Sequence, residues 1–283
     1  VIDSTTSPPT DLTELLAVFD EQLRERALPP GRWSIERSGR TVREWGDGYA
    51  TVVWSDLNES AADAAVAAAQ HWAEADRLRL EWKLYGHDTP PDLPARLAAA
   101  GFVAEPQETL MVAEIGGLPQ LPEPPAGVRL RELAPGDGPV DREALGAGLG
   151  AVDALHRAVW GERPSGFREQ LEEEKALRPD LLSIVIAEPA GPVEPVPVLC
   201  AGWLRIHQGT RFGSLWGGST LPQWRGRGIY RSTVAWRAAR AAELGMRWLT
   251  VDASDDSRPI LERLGFRRLS TTTPYIWDGS RAD

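Results

Sequence analysis

One pattern occurs twice in this chain and constrains its fold more than any other feature. Leu97-Ala98-Ala99-Ala100-Gly101-Phe102 repeats the spacing of Leu261-Glu262-Arg263-Leu264-Gly265-Phe266, and each copy lies between two strand-like runs. Self-similarity on this scale calls for two related units. Upstream of the first copy, periodicity and turn residues predict a helix over 11–28, strands over 32–37, 41–45 and 49–56, a helix over 59–75 and a strand over 78–85. Around the second copy they predict a strand over 128–133, helices over 141–158 and 166–177, and strands over 181–188, 197–207 and 212–220. A helix over 229–244, a strand over 247–253, a short helix over 257–264 and strands over 266–270 and 274–277 complete the order. Between the halves, Gly116-Gly117-Leu118-Pro119-Gln120-Leu121-Pro122-Glu123-Pro124-Pro125-Ala126-Gly127 is too rich in Pro and Gly for a helix or an inner strand. The expected organisation is a first domain over 1–116, a linker over 117–127 and a second domain over 128–283, in an α+β (mixed α/β) class.

The second half carries a chemical signal that the first lacks. The apolar run ending at Leu221 leads through Arg225-Gly226-Arg227-Gly228-Ile229-Tyr230 into an Arg- and Ala-rich helix. Two glycines let backbone approach a ligand without a Cβ in the way, and a helix opening at about Gly228 presents free N–H groups at its positive end. Between Arg225 and Arg247 there are six arginines and one acid, Glu243. The turn therefore reads as a phosphate site. It has neither a Gly-Lys-Ser/Thr for a nucleotide triphosphate nor dinucleotide Gly-x-Gly-x-x-Gly spacing. At the corresponding place in the first half stands Ser55-Asp56-Leu57-Asn58-Glu59-Ser60, without a glycine and with two acids. That half is expected to bind no phosphate.

The run Ser219-Thr220-Leu221-Pro222-Gln223-Trp224-Arg225-Gly226-Arg227-Gly228-Ile229-Tyr230 resembles the pyrophosphate motif Arg/Gln-x-x-Gly-x-Gly/Ala of the GNAT acyltransferases. Arg225 and Gly228 match, and Tyr230 stands where that family has Gly or Ala. Pro259-Ile260-Leu261-Glu262-Arg263-Leu264-Gly265-Phe266 resembles a second signature of the same family. The resemblance implies two tandem GNAT-like domains, each a mostly antiparallel twisted sheet flanked by helices, with a degenerate first copy. It implies an N-acetyltransferase that moves an acetyl group directly from acetyl-CoA to the amine of a small molecule. It also implies an acyl-donor site made of Ser219, Thr220, Leu221, Arg225, Gly226, Arg227, Gly228, Ile229, Tyr230 and Ser232, with Ser232 or Thr233 adding a hydroxyl to a phosphate oxygen. The strand end near Gly217-Gly218 is expected to bend away from its neighbour and offer backbone groups to the acyl carbonyl. Many members carry a Tyr four residues before the Gly-Phe pair; here that position is Leu261. The alternative reading is a non-catalytic acyl-CoA-binding sensor or regulatory module.

Charge narrows the partners. The net charge is −10, and residues 1–116 carry all of it with 20 acids and 10 bases, while the remainder balances. Nucleic-acid binding would need a basic face. No apolar run approaches bilayer-spanning length, so no membrane partner is expected. The lone Cys200 reads as a packing residue, and the expected location is cytoplasmic. No Cys/His array suggests a metal. A tandem chain forms its own pseudo-dimer, which implies a monomer.

For proton transfer, Asp252 at the end of Val251-Asp252-Ala253-Ser254 is the best-placed base, and Asp255 and Asp256 read as the cap of the next helix. The tyrosines of this half are Tyr230 and Tyr275; Tyr275 is the candidate acid, set against a plain packing role. His207 reads as a strand-end surface residue. His156 and Trp160, one helical turn apart, either border the acceptor or pack in the core. Trp203, Trp216, Trp224, Trp236 and Trp248 read as core aromatics before pocket lining.

Overall fold

The computed structural model describes residues 11–29, 31–118, 123–134, 140–161, 167–191 and 197–279. They divide into two compact units that do not follow chain order. The first comprises the residues up to Met111, Asp252–Arg258 and those from Arg268 onward; the second comprises Val112–Val251 and Pro259–Arg267.

In the first unit, α1 (Leu12–Phe19) begins at Asp11, whose side chain accepts from the amides of Thr13 and Glu14, and continues as a π-helical turn, Asp20–Glu25. Strands β1 (Ser34–Ser38), β2 (Thr41–Gly46) and β3 (Tyr49–Ser55) form an antiparallel meander. Helix α2 (Glu59–Ala75) then crosses over to β4 (Arg79–Tyr85), which runs parallel to β3. Ala62, Val66, Ala69 and Ala73, spaced at helical period, put the small face of α2 onto Val52, Leu80 and Trp82. Helix α3 (Leu93–Ala99) and the short β5 (Val103–Ala104) follow, then β6 (Glu108–Glu114), which ends in the second unit.

The second unit repeats the plan. Strand β7 (Val128–Leu133) is followed by α4 (Arg142–Trp160) and α5 (Phe167–Leu177), then by β8 (Leu182–Pro189), β9 (Cys200–Ile206) and β10 (Phe212–Thr220) in an antiparallel meander with β7. Helix α6 (Ile229–Glu243) crosses over to β11 (Trp248–Ala253), parallel to β10. Strand β8 is buried along both faces. Ile184 and Ile186 pack with α4, whereas Ala187 packs with Ile229 of α6, so the two helices cover opposite faces. The short α7 (Arg258–Arg263) leads into β12 (Arg267–Trp277).

Strand β12 is continuous where two strands are predicted. It pairs antiparallel with β4 from Thr272 opposite Tyr85 to Trp277 opposite Leu80, straight through Pro274. The Pro274 carbonyl accepts from the Glu105 amide at 2.8 Å. The start of β12 is fastened by His87, whose Nδ1 lies 2.8 Å from Ser270 Oγ and whose Nε2 lies 2.8 Å from Asp20 Oδ2. The Pro/Gly stretch over 116–127 lies within the second unit by the same division; residues 119–122 of it fall outside the described residues.

The first unit's crossover helix is closed at its positive end. Asn58 Oδ1 accepts from the Ala61 amide at 2.9 Å and from Ser60 Oγ at 2.9 Å. Asn58→Ala should therefore cost about 1 kcal/mol, read as a lower urea midpoint with unchanged m.

Candidate functional site

The parallel pair β10 and β11 stays in register only from Phe212 opposite Trp248 to Ser214 opposite Thr250, although both strands run on. Just beyond, β10 shifts register against β9: Trp216 faces Trp203 and Ser219 faces Ala201, so Gly217 and Gly218 together oppose Gly202. This is a β-bulge. Gly217 has φ +61°, and a Cβ there would meet the Trp203 ring at 1.8 Å. A Cβ on Gly218 would meet the Tyr230 ring at 2.7 Å. The bend expected near Gly217-Gly218 is thus built into the strand by two rings that occupy the place of side chains.

Past the bulge, a short 3-10 turn, Pro222–Trp224, delivers Arg225 in extended conformation, and α6 starts at Gly228. Gly226 (φ +73°) and Gly228 (φ +83°) are both left-handed, and no atom lies within 3.5 Å of where a Cβ would stand on either. Backbone handedness, not crowding, calls for these glycines. Gly228 makes no side-chain cap, so the first amides of α6 are left to a ligand. In front of this turn lies a cavity of about 800 Å³. Arg225, Arg227, Arg231 and Arg263 line it, and among the described residues no carboxylate does. Ile229, Val234, Ala238 and Leu264 give it an apolar floor. The Arg227 guanidinium stacks over Trp224 at 4.6 Å, which holds one cation in place. The volume is in the range of small-molecule sites, and the positive lining would favour an anionic guest over a cationic one.

Of the sequence candidates, Thr220, Arg225, Gly226, Arg227, Gly228, Ile229 and Tyr230 line this cavity. Tyr230 turns its ring onto Gly218 rather than across the turn, so the missing Cβ at Gly218 makes room for the bulky residue. Three candidates stand elsewhere. Leu221 packs between the two cores and donates its amide to Leu199. Ser219 Oγ donates to the Gly217 carbonyl at 3.3 Å, and Ser232 Oγ to the Gly228 carbonyl at 3.2 Å. Thr233 Oγ1 likewise donates back to the Tyr230 carbonyl at 2.8 Å. All three hydroxyls are buried in local bonds of the kind Ser and Thr make within helices and turns.

Asp252 is ion-paired: Lys83 Nζ lies 2.5 Å from its Oδ2, while its Oδ1 is buried without a hydrogen-bond partner. Nearby carboxylates keep Lys83 charged well above its usual range despite burial. In the turn before α7, Ser254 Oγ accepts from the Ser257 amide at 3.4 Å, and Asp255 binds Arg258 at 2.7 Å. Tyr275 packs against the core of the first unit, opposite Trp82 in register. His207 is pushed down to about 4 by burial and by Arg205, and its Nε2 lies 2.8 Å from Ser214 Oγ. His156 is fully buried in an aromatic stack with Trp160, Phe167 and Trp203. Trp203 and Trp248 are buried, and Trp216 is 40% exposed. Leu261 is fully buried. Burial pushes the Cys200 thiol up, as suits a packing residue.

Glu108 was not singled out by the sequence. Burial, then the charge of Asp252, pushes its carboxyl up to about 7, against the opposing pull of Lys83. With Tyr49, Glu81, Glu105 and Asp256 it lines a cleft of about 620 Å³ in the first unit. Its raised pKa means that the folded state holds a proton the unfolded chain releases. Stability present below about pH 4.5 is lost as pH rises through about 7. Glu108→Gln should remove that loss, so the melting temperature of the variant relative to the wild type should climb between pH 5 and pH 8.

No family model matches the sequence, and no curated protein does. Solved structures do match. A GCN5-related N-acetyltransferase from Kribbella flavida superposes with a TM-score of 0.65 at 18% identity, over 95% of this chain and 96% of that one. A GCN5-related N-acetyltransferase from Sphaerobacter thermophilus gives 0.60 at 15% identity, over 84% and 76%. A tandem GNAT protein from the clavulanic acid biosynthesis pathway gives 0.57 at 15% identity, over 98% and 90%. Together with the repeated meander and crossover, these likenesses establish that the chain has the fold of the GCN5-related N-acetyltransferases, in its tandem form.

Proposed function

We propose that this chain is an acyl-CoA-dependent N-acyltransferase that transfers an acetyl group from acetyl-CoA to the amine of a small molecule. The observation that carries the reading is the pairing of an uncapped, left-handed helix start with an arginine-lined cavity in the second unit. The corresponding helix of the first unit closes its own N-terminus with Asn58, so a single donor site per chain is expected. Pyrophosphate at the first turn of α6 would receive amide hydrogen bonds, and the surrounding guanidiniums would neutralise its charge.

In this reading the pantetheine follows the opening between β10 and β11 beyond Ser214 and Thr250, which brings the thioester to the bulge. The neutral amine attacks the thioester carbonyl, the C–N bond forms and the C–S bond breaks. The thiolate leaves and takes a proton from solvent, and the amine's surplus proton passes to a base. Asp252 fills that role through Oδ1, the oxygen that Lys83 does not hold.

The second reading, an acyl-CoA-binding sensor, draws on Leu261 at the family's tyrosine position and on the Lys83 ion pair. Calorimetry with acetyl-CoA and turnover against an amine panel separate the two: binding with turnover supports the transferase, and binding without turnover supports the sensor.

Gly228→Asn keeps a residue that tolerates left-handed backbone, whereas Gly228→Asp also places a carboxylate at the phosphate site. Acetyl-CoA binding should survive the first change in weakened form and disappear with the second, by calorimetry on folded protein. Equal affinity for both variants would remove the turn from the donor site.

Asp252→Asn should lower turnover on the order of 10²-fold. By stranding Lys83 it should also cost roughly 3 kcal/mol of stability. The double variant Lys83→Met/Asp252→Asn should regain stability without regaining rate. If turnover returns with stability, Asp252 serves the ion pair and not the proton transfer.

A further inference from the structure

Arg237 of α6 is 1% exposed, and no carboxylate among the described residues pairs with it. Burial pulls its pKa down. Its Nε donates to the Thr233 carbonyl of its own helix at 3.0 Å, and its Nη1 donates to the carbonyls of Trp203 and Trp216, each at 3.3 Å. Its Nη2 is buried without a partner. The guanidinium lies over Gly202, where a Cβ would come within 2.7 Å of Nη1. A buried cation held this way is costly and needs a reason beyond packing.

The reason lies in which carbonyls it holds. Trp216 is the last residue before the bulge. The next carbonyl along the strand, that of Gly217, accepts from His156 Nε2 at 3.1 Å, which fixes the proton on that nitrogen. His156 comes from α4, on the face of the sheet opposite α6. Two successive peptide carbonyls are thus each clamped by a buried side chain, one from each face. A trans peptide points its C=O and N–H in opposite directions. Holding the Trp216 carbonyl sets the direction of the Gly217 N–H, and holding the Gly217 carbonyl sets that of the Gly218 N–H.

We propose that Arg237 and His156 are positioning residues for acyl transfer, which fix the two peptide groups of the bulge so that one of their amides stands as a preorganised donor to the thioester carbonyl. The inference rests on the acyl-CoA reading above. Amides that are already oriented cost no reorganisation when the carbonyl oxygen gains charge, and this is where such donors contribute most to rate.

The test is isotope-edited infrared spectroscopy of [1-13C]acetyl-CoA, which needs no acceptor. On binding to the wild type, the thioester carbonyl band should move to lower frequency than in water. His156→Phe keeps the ring in its stack and removes the donor; Arg237→Gln removes the cation and one carbonyl bond. Each folded variant should keep its acetyl-CoA affinity while the band returns toward the solution value, and His156→Gln, which retains a donor, should keep the shift. A purely structural role would lower the melting temperature and leave the bound frequency at the wild-type value, which overturns the proposal. So does a wild-type complex with no shift, an observation that requires no variant to fold. Failure of the wild type to bind acetyl-CoA at all would instead overturn the donor-site reading.

Discussion

At Gly217 the ring of Trp203 fills the space that any side chain would need, and much of the second unit follows from that contact. The strand admits an extra residue there, so β10 bulges against β9 and has already parted from β11, its parallel neighbour. Two parallel strands that separate leave peptide groups and space between them. The crossover helix then starts where the chain emerges, at a left-handed glycine that supplies no cap. Had residue 217 carried a Cβ, the register with β9 would have to run straight or the Trp203 ring would have to leave its stack with His156 and Phe167.

Three glycines around the bulge each yield to a different neighbour: Gly217 to Trp203, Gly218 to Tyr230 and Gly202 to Arg237. Glycine in a strand weakens it, since it packs nothing and gives up more backbone freedom on folding. Spending that stability within a few residues, beside a buried unpaired cation, is the pattern of a functional site and not of a core. The first unit shows the contrast. It has the same meander and crossover, but Ser55-Asp56-Leu57-Asn58 turns into α2 with its own cap, and Asp56 binds Arg40 instead of leaving room for an anion. One scaffold therefore appears twice, once with its helix end satisfied internally and once with it open.

Much of this was legible in the sequence because it is local. The α2 span, β7 and β10 are set by period and punctuation, and their predicted bounds agree with the observed ones. The Arg225–Tyr230 turn announced itself through glycine and charge. What escaped depends on partners far along the chain. Nothing near Asp252 signals Lys83, 169 residues earlier, and nothing near Glu108 signals the burial, or the charge of Asp252, that raises its pKa. Strand β12 was expected as two strands, 266–270 and 274–277; its pairing with β4, a partner far along the chain, runs from Thr272 to Trp277 and so begins inside that gap. The bond that the Ser232 hydroxyl makes was not anticipated either. A first-turn serine has the right chemistry for phosphate, but its own helix offers a carbonyl one turn back, and that local bond wins.

Arg237 shows why composition misleads at the same place. Six arginines between Arg225 and Arg247 look like one electrostatic feature, yet they divide by burial into different jobs. Arg225, Arg227 and Arg231 are exposed around the cavity, where salt screens their charge. Arg247 forms an ion pair with Glu114, and Arg240 one with Glu243. Arg237 is sealed under α6, where a guanidinium serves as a rigid fork of donors. A lysine could supply the same charge there but not the same geometry, because holding the Thr233, Trp203 and Trp216 carbonyls together requires several N–H groups in a fixed plane. The helix that begins at the uncapped Gly228 thereby also carries, two turns on, the group that holds the strand beneath it, so the charge around the cavity and the backbone geometry of the bulge both depend on one element.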